Sequence, residues 1–272
     1  PLAWILKIRR IPCVVNVDGV ERKRAKWNVF GRLWYRLGEI CSCLFANRII
    51  ADAYVIQDYY AKKYRSQSSV IRYGFRDRNP SIDSHVLAEY QLSAGHYLLY
   101  VSRLEPENNA LVVVRAYNEL ALSIRKKMPL VVVGDAPYSK EYIEQVKAEA
   151  CSQVVFLGYK FEADYFALQT GAYAYIQATE VGGAHPALIE AMGFGKCIIA
   201  NDVPEHREVL GNAGLYYAKN SVTDLAIALD RVISNHDLHE TLEKQAFKRA
   251  KAEFDWAKIT TAYAEVFLDL CK

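Results

Sequence analysis

Between residues 96 and 253, short apolar runs alternate with segments of helical period, and no other feature of the chain restricts its fold as strongly. The apolar runs are residues 96–101, 129–133, 154–157, 173–178, 197–200 and 215–217. Helices are expected over residues 109–122, 140–149, 162–170, 186–194, 205–210, 223–234 and 238–253. Strands alternating with helices in this way predict an α/β fold whose parallel sheet is covered on both faces. A sheet of that kind takes ligands in the crevice outside the carboxyl ends of its strands. Loops 102–107, 134–138, 158–161 and 180–186 each follow a strand, so the pattern predicts one shared crevice.

The first 95 residues hold less. Apolar runs at 11–17, 48–55 and 69–73, with helices over 30–46 and 57–64, predict three strands, too few for a complete doubly wound domain. Residues 76–95 are polar and turn-rich and read as a linker with an approach helix. The chain opens Pro1-Leu-Ala-Trp4, and its first charges follow a short apolar run, the reverse of the order in a signal peptide. The expectation is an incomplete first domain over 1–78, a second over 79–253, and a final segment over 254–272.

Residues 1–80 carry 16 Lys and Arg against 6 Asp and Glu, whereas residues 81–272 carry 18 against 25. The basic half includes Lys7, Arg9, Arg10 and Arg22-Lys-Arg-Ala-Lys26, with Trp4, Trp27, Trp34 and Tyr35 interleaved. Basic residues with interfacial aromatics suit an anionic membrane surface, and they suit a solvated face equally well. No RNA- or DNA-reading motif accompanies the patch, so nucleic acid is not an expected partner. No segment reaches the length of apolar chain a spanning helix requires. The six cysteines are scattered without a CxxC pair, and most lie in apolar runs, as buried thiols of a reducing compartment do. No His stands at ligand spacing from a cysteine pair, so no zinc site is expected. These features predict a cytoplasmic chain, with residues 1–36 the place for peripheral contact at the inner face of the membrane.

Chemistry is expected first at Thr179-Glu-Val-Gly-Gly-Ala-His-Pro186 and the helix that follows. Gly182 and Gly183 suit a tight turn. Pro186 suits the first position of a helix, where its missing N–H costs nothing, and Gly195 suits the end. The amides of Gly183, Ala184 and His185 are then expected to be unpaired at a positive helix end, a seat for phosphate or sugar oxygens. Glu180 and Glu190 flank them. Arg103 directly follows the first strand of the second domain, where a guanidinium suits a diphosphate; the competing reading is an ion pair with Glu105 or Glu107. Gly158, Tyr159 and Phe161 suit a nucleobase edge and face, Glu190 a ribose hydroxyl, and Asp18 is a candidate at the end of the first strand. No GKS/T phosphate loop, GxSxG elbow or Asp-x-Asp metal signature is present.

The run Val101-Ser-Arg-Leu-Glu-Pro-Glu-Asn-Asn109, Val131-Val-Val-Gly-Asp-Ala136, Val155-Phe-Leu-Gly-Tyr159, Glu180 to Gly195 and Arg207-Glu-Val-Leu-Gly-Asn-Ala-Gly-Leu-Tyr-Tyr217 resembles the donor-binding half of glycosyltransferase family 4. That family has the GT-B fold, two Rossmann-like doubly wound parallel-sheet domains. Asn16-Val-Asp-Gly-Val-Glu-Arg-Lys-Arg-Ala-Lys-Trp27 is similar to the subset containing bacterial rhamnosyltransferases of capsule and O-antigen. Phe254-Asp-Trp256 resembles the start of the family's last helix, which returns to the first domain.

The resemblance implies transfer of a sugar, in this subset L-rhamnose from dTDP-rhamnose, from a nucleotide-sugar donor to a saccharide or lipid-linked acceptor, with retention and without a metal or other cofactor. It implies that Arg103 binds the diphosphate, Glu190 the ribose, Glu180 the donor sugar, and the Gly182, Gly183, Ala184 and His185 amides sugar and phosphate oxygens. Asp18 would stand on the acceptor side, where many relatives have histidine. The chain departs from the pattern in three places. Nine residues separate Glu180 from Glu190 where seven are usual, and Asn108 stands where a phosphate-binding Lys is usual. The early strands and glycine loop of the first domain are absent, which leaves open a nucleotide-sugar-binding fragment or subunit without transfer activity of its own.

Overall fold

The computed structural model describes residues 2–23, 27–76 and 83–271, without the side chain of Lys23. The expected boundary at 78/79 and the basic residues Arg24 and Lys26 lie outside the described residues. The chain forms two compact units. One comprises Pro1–Gly74, Val181–Pro186 and Phe254–Lys272, the other Phe75–Glu180 and Ala187–Glu253. The glycine loop, which sequence alone groups with the second domain, is thus counted with the first unit.

The first unit contains α1 (Ala3–Ile8), β1 (Val14–Val17), α2 (Val29–Phe45), β2 (Arg48–Ala51), α3 (Tyr54–Tyr64), β3 (Ser69–Val70) and the last helix, α13 (Trp256–Leu270). Its strands are parallel in the order β1-β2-β3. One face buries Val17, Ile49, Ala51, Ile56 and Tyr60; the other packs Ile50 and Ile71 against Ile259. Ala262, Tyr263 and Val266 extend the Ile259 contact at helical spacing, which fixes the face α13 presents. Asn28 and Asp255 start α2 and α13 by accepting the N–H of Gly31 and of Ala257.

All three strands are shorter than the apolar runs suggest, for one reason. Pairing starts where Val14 meets Arg48 and stops where Ala51 meets Val70, so residues beyond these have no partner strand. Asp52 leaves the sheet, and the apolar side chains at 54–56 belong to α3. Strand character over 48–55 was therefore a strand end and a helix start read as one run.

The second unit contains α4 (Ser84–Glu89), β4 (Leu98–Val101), α5 (Ala110–Glu119), α6 (Leu122–Lys127), β5 (Leu130–Val133), α7 (Lys140–Glu149), β6 (Val154–Gly158), α8 (Glu162–Gly171), β7 (Ala174–Gln177), α9 (Pro186–Gly193, whose first residue is counted with the other unit), β8 (Cys197–Asn201), α10 (Pro204–Leu210), β9 (Leu215–Tyr217), α11 (Val222–Ser234) and α12 (His236–Glu253). The helix expected over 109–122 ends at Glu119, and a second, α6, follows it. Leu120 turns extended, and its carbonyl accepts from the Arg125 guanidinium. The six strands are all parallel in the order β6-β5-β4-β7-β8-β9. Successive strands run outward from β4 in one direction and from β7 in the other, so the β4/β7 pair is the topological switch point. That is where sheets of this class hold ligands.

Candidate functional site

At the switch point of the second unit, the loops leaving β4 and β7 are tied together. The Glu180 N–H donates to the Glu107 carbonyl at 2.9 Å, and the Asn109 side chain donates to the Ala178 carbonyl at 2.9 Å. Arg103 and Glu180 therefore leave from adjacent strands. Arg103 is exposed, and its Nη2 lies 3.5 Å from Oε2 of buried Glu105, whose Oε1 accepts from the Tyr138 hydroxyl. The ion pair expected as the competing reading of Arg103 is thus present. The contact is long and the guanidinium exposed, whereas Glu105 is buried and has the Tyr138 hydroxyl as a donor as well.

Asn108, in the position usual for lysine, is buried and donates to the Arg103 carbonyl at 2.7 Å. It fixes the backbone that carries the guanidinium and adds no charge. Asp135 accepts from the N–H of Ala136, a turn-forming role. Tyr159 and Phe161, after β6, are exposed and nearly parallel, with centroids 6.1 Å apart, while the Tyr159 hydroxyl donates to the Asp135 carbonyl. Gly158, with φ of +65°, turns the chain into this pair and accepts from the Gly134 N–H.

Glu190, half-buried on α9, accepts from the hydroxyl of Tyr165 on α8, and Gln169 donates to that same hydroxyl. Burial, then the Glu190 charge, pushes the Tyr165 phenol well up, so it remains a donor across the accessible pH range. Glu180 is held differently. Its Oε2 accepts from Asn220 Nδ2 at 2.6 Å and lies 3.6 Å from Lys219 Nζ.

The first unit holds the rest of the candidates. Asp18 is exposed at the end of β1, and Gly19 beside it lies against the glycine loop, where a Cβ would stand 3.6 Å from Gly182 C and Gly183 N. The loop amides are not all unpaired, as expected from sequence: the Ala184 N–H donates to Oδ2 of buried Asp52 at 2.9 Å. A carboxylate is a natural partner for an amide beside a helix start. Gly183 is required for that approach, because a Cβ there would sit 2.3 Å from Asp52 Oδ2. The His185 ring packs over Gly182, and Pro186 opens α9 as expected.

Sequence reasoning missed Asp52, Tyr165 and the asparagines at 109, 201 and 220. Asp52 was hidden inside an overlong strand. The asparagines are far apart in sequence, and only their meeting at the end of β7 gives them a role. Among the described residues, no three His, Cys, Asp or Glu side chains converge as around a metal ion, and no helix is long and apolar enough to cross a membrane.

Two α/β units with all-parallel sheets, one carrying polar loops at its switch point, constitute the GT-B fold of glycosyltransferases. HepE of Anabaena in complex with UDP and glucose superimposes with a TM-score of 0.85 at 20% identity, over 97% of this chain and 73% of that one. Residues 91–249, more than half of the chain, match the glycosyl transferases group 1 family, and the chain belongs to that family. Residues 5–76 match a domain of unknown function, DUF1972. The O-antigen chain mannosyltransferase B of Escherichia coli is 26% identical over 68% of this chain and 49% of its own length. The alpha-monoglucosyldiacylglycerol synthase of Streptococcus pneumoniae is 26% identical over 86% of this chain and 54% of its own. The chain spans about half the length of these curated relatives.

Proposed function

We propose that this chain carries the donor-binding part of a glycosyltransferase that moves a hexosyl group from a nucleotide sugar to a saccharide or lipid-linked saccharide in O-antigen or capsule synthesis. The observation that carries the reading is the convergence of Arg103 and Glu180 on the β4/β7 switch point. The O-antigen mannosyltransferase relative and the UDP complex of the structural neighbour support it. At the finer level, the motif over residues 16–27 favours membership of family 4 and L-rhamnose from dTDP-rhamnose, whereas that relative favours mannose.

In this reading Arg103 meets the diphosphate, the exposed Tyr159–Phe161 pair the base, Glu190 the ribose, Glu180 the sugar, and Asp18 the acceptor side. The loop amides of Gly182, Gly183, Ala184 and His185 meet sugar and phosphate oxygens. The bond from the anomeric carbon to the diphosphate oxygen breaks. The acceptor hydroxyl bonds to the same carbon on the face the diphosphate leaves, which retains configuration, and its proton passes to the departing phosphate oxygen. The guanidinium and amides stabilise charge that develops on departure, so activity is proposed to need no metal and to survive EDTA. Lys7, Arg9, Arg10, Arg32 and Arg36 lie exposed among exposed Trp4, Ile8, Phe30, Leu33 and Trp34 of α1 and α2, which supports contact with anionic lipid at the inner membrane face. Unchanged vesicle partitioning after Lys7, Arg9 and Arg10 are neutralised would remove that part.

The test follows consumption of UDP-glucose, GDP-mannose and dTDP-rhamnose in a membrane extract. Arg103→Ala and Glu190→Ala are each expected to lose about 100-fold in turnover with the fold intact; parental turnover by Arg103→Ala removes it from the site. The share of the relatives' length that is matched favours a second reading, a nucleotide-sugar-binding piece that needs another segment for transfer. Calorimetric binding of UDP, GDP or dTDP without donor consumption supports that one.

A further inference from the structure

Three asparagines from three separate segments of the second unit meet at the end of β7. Asn109 precedes α5, Asn201 ends β8, and Asn220 follows β9. Nδ2 of Asn109 and Nδ2 of Asn201 both donate to the Ala178 carbonyl, at 2.9 and 3.1 Å, and both also donate to Asn220 Oδ1, each at 2.8 Å. Asn201 Oδ1 in turn accepts the backbone N–H of Asn220 at 3.0 Å. Asn109 and Asn220 take left-handed backbone angles, φ of +62° and +57°, which asparagine tolerates better than most residues.

The bonding decides which way each amide faces. An amide carbonyl accepts and an amide nitrogen donates, so the two bonds into Asn220 Oδ1 leave its Nδ2 aimed outward. It ends on Oε2 of Glu180, 2.6 Å away. Lys219 Nζ approaches the same oxygen, and Glu180 Oε1 takes no hydrogen bond among the described residues. The Glu180 backbone is held separately, through its N–H on the Glu107 carbonyl. A role confined to capping the sheet would not need this arrangement: Ala178 O is already satisfied twice, by Asn109 and Asn201.

We propose that Asn220 is a positioning residue: the Asn109–Asn201–Asn220 cluster fixes one oxygen of the Glu180 carboxylate and presents the other to the hydroxyls of the donor sugar. The inference rests on the reading of Glu180 as the donor-sugar contact. It also explains how a glutamate set two residues further from Glu190 than the family spacing keeps a defined direction. Its orientation comes from the loop after β9 and owes nothing to the register of α9.

Asn220→Asp separates positioning from folding. The aspartate still accepts from Asn109 and Asn201 and still suits the left-handed backbone, but it sets a carboxylate against Glu180 in place of a donor. Four chains are compared: parent, N220D, E180Q, and the double variant, in which the amide of the new glutamine can donate to the new carboxylate. Each is measured for Tm, for UDP, GDP and dTDP affinity, and for affinity and turnover with UDP-glucose, GDP-mannose and dTDP-rhamnose. N220D is expected to keep its Tm within about 3 °C and its nucleoside diphosphate affinity within about twofold, while sugar-nucleotide affinity and turnover fall about 10- to 100-fold. In the E180Q background the same change is expected to cost little or to restore affinity, which independent roles would not produce. If N220D matches the parent, or loses as much with Gln at 180 as with Glu, the inference is overturned while the glycosyltransferase reading stands. A parent that binds none of the three sugar nucleotides ends both.

Discussion

The two parallel sheets of this molecule are built on the same plan but differ in how far they are enclosed. In the second unit β4, β5, β7 and β8 are fully paired, and their side chains on both faces are close to inaccessible to solvent. In the first unit β3 pairs over two residues, and one face of the sheet is completed by α13 from the other end of the chain. The enclosed sheet leaves little freedom to the loops that leave it, and those loops carry Arg103 and Glu180. The partly enclosed sheet carries Asp18, which is exposed, and Asp52, which is buried. The difference teaches that precision at a site is inherited from the burial of the strands beneath it.

The largest expected effect falls where the enclosed sheet is tightest. Gly134 directly follows β5 with φ of +121°, and a Cβ built there would stand 1.9 Å from the carbonyl oxygen of Ser102 on the adjoining β4 loop. No side chain can yield, because the obstacle is backbone. Gly134→Ala is expected to cost about 4 kcal/mol or more, read as a fall in urea midpoint at unchanged m. A loss below about 1 kcal/mol would show that the β4 and β5 loops are not locked as described. Next come matched truncations of two fully buried isoleucines. Ile176→Ala in β7 and Ile50→Ala in β2 are both expected to fall in the 2–5 kcal/mol range, with Ile176 the costlier, since its surroundings are covered on all sides and cannot relax into the cavity. Equal losses would break the comparison.

Much of the second unit was legible in the sequence because burial on both faces turns a strand into an unbroken apolar run. Leu130–Val133 and Cys197–Asn201 could hardly be read otherwise. The first unit was less legible because its strands end where a partner ends, and residue 70 cannot announce where residue 51 stops. At the site, Arg103, Glu180 and Glu190 were readable from residue type and position after a strand. Their supports were not. Nothing in the sequence around Asn220 points to Glu180, forty positions away, and nothing around Tyr165 points to Glu190. Such partners are specified by the sheet order, and that is known only once β9 is seen to lie beside β8.

A pH effect of about 3 kcal/mol is expected from the enclosed unit. His206 is fully buried on α10, and burial lowers its pKa to about 4, an effect that its bond to the Asn201 carbonyl opposes only in part. The Gln177 amide nitrogen donates to Thr179 and faces His206 Nε2, so the neutral ring accepts at Nε2 and donates from Nδ1. A second proton would set two donors face to face. The unfolded chain takes up that proton near pH 6.5, and the folded chain does so only near pH 4. The stabilisation is therefore complete above pH 6.5 and is lost as pH falls from there toward 4. His206→Gln should remove about one proton's worth of slope from the stability profile in that window. A profile as steep as the parent's would place the titration elsewhere.

The smallest expected effect tests the looser unit. Asp52→Asn leaves an acceptor for the Ala184 N–H but removes the charge from that bond, and charged acceptors hold amides more strongly than neutral ones. The expected loss is about 1 kcal/mol. Amide exchange at Ala184 should quicken by a comparable factor, while the amides of β7 and β8 stay unchanged, because opening of a lightly held loop need not involve the enclosed sheet. If the β7 amides quicken along with Ala184, the Asp52 bond is not a local hold on the loop, and the expected difference between the two sheets fails.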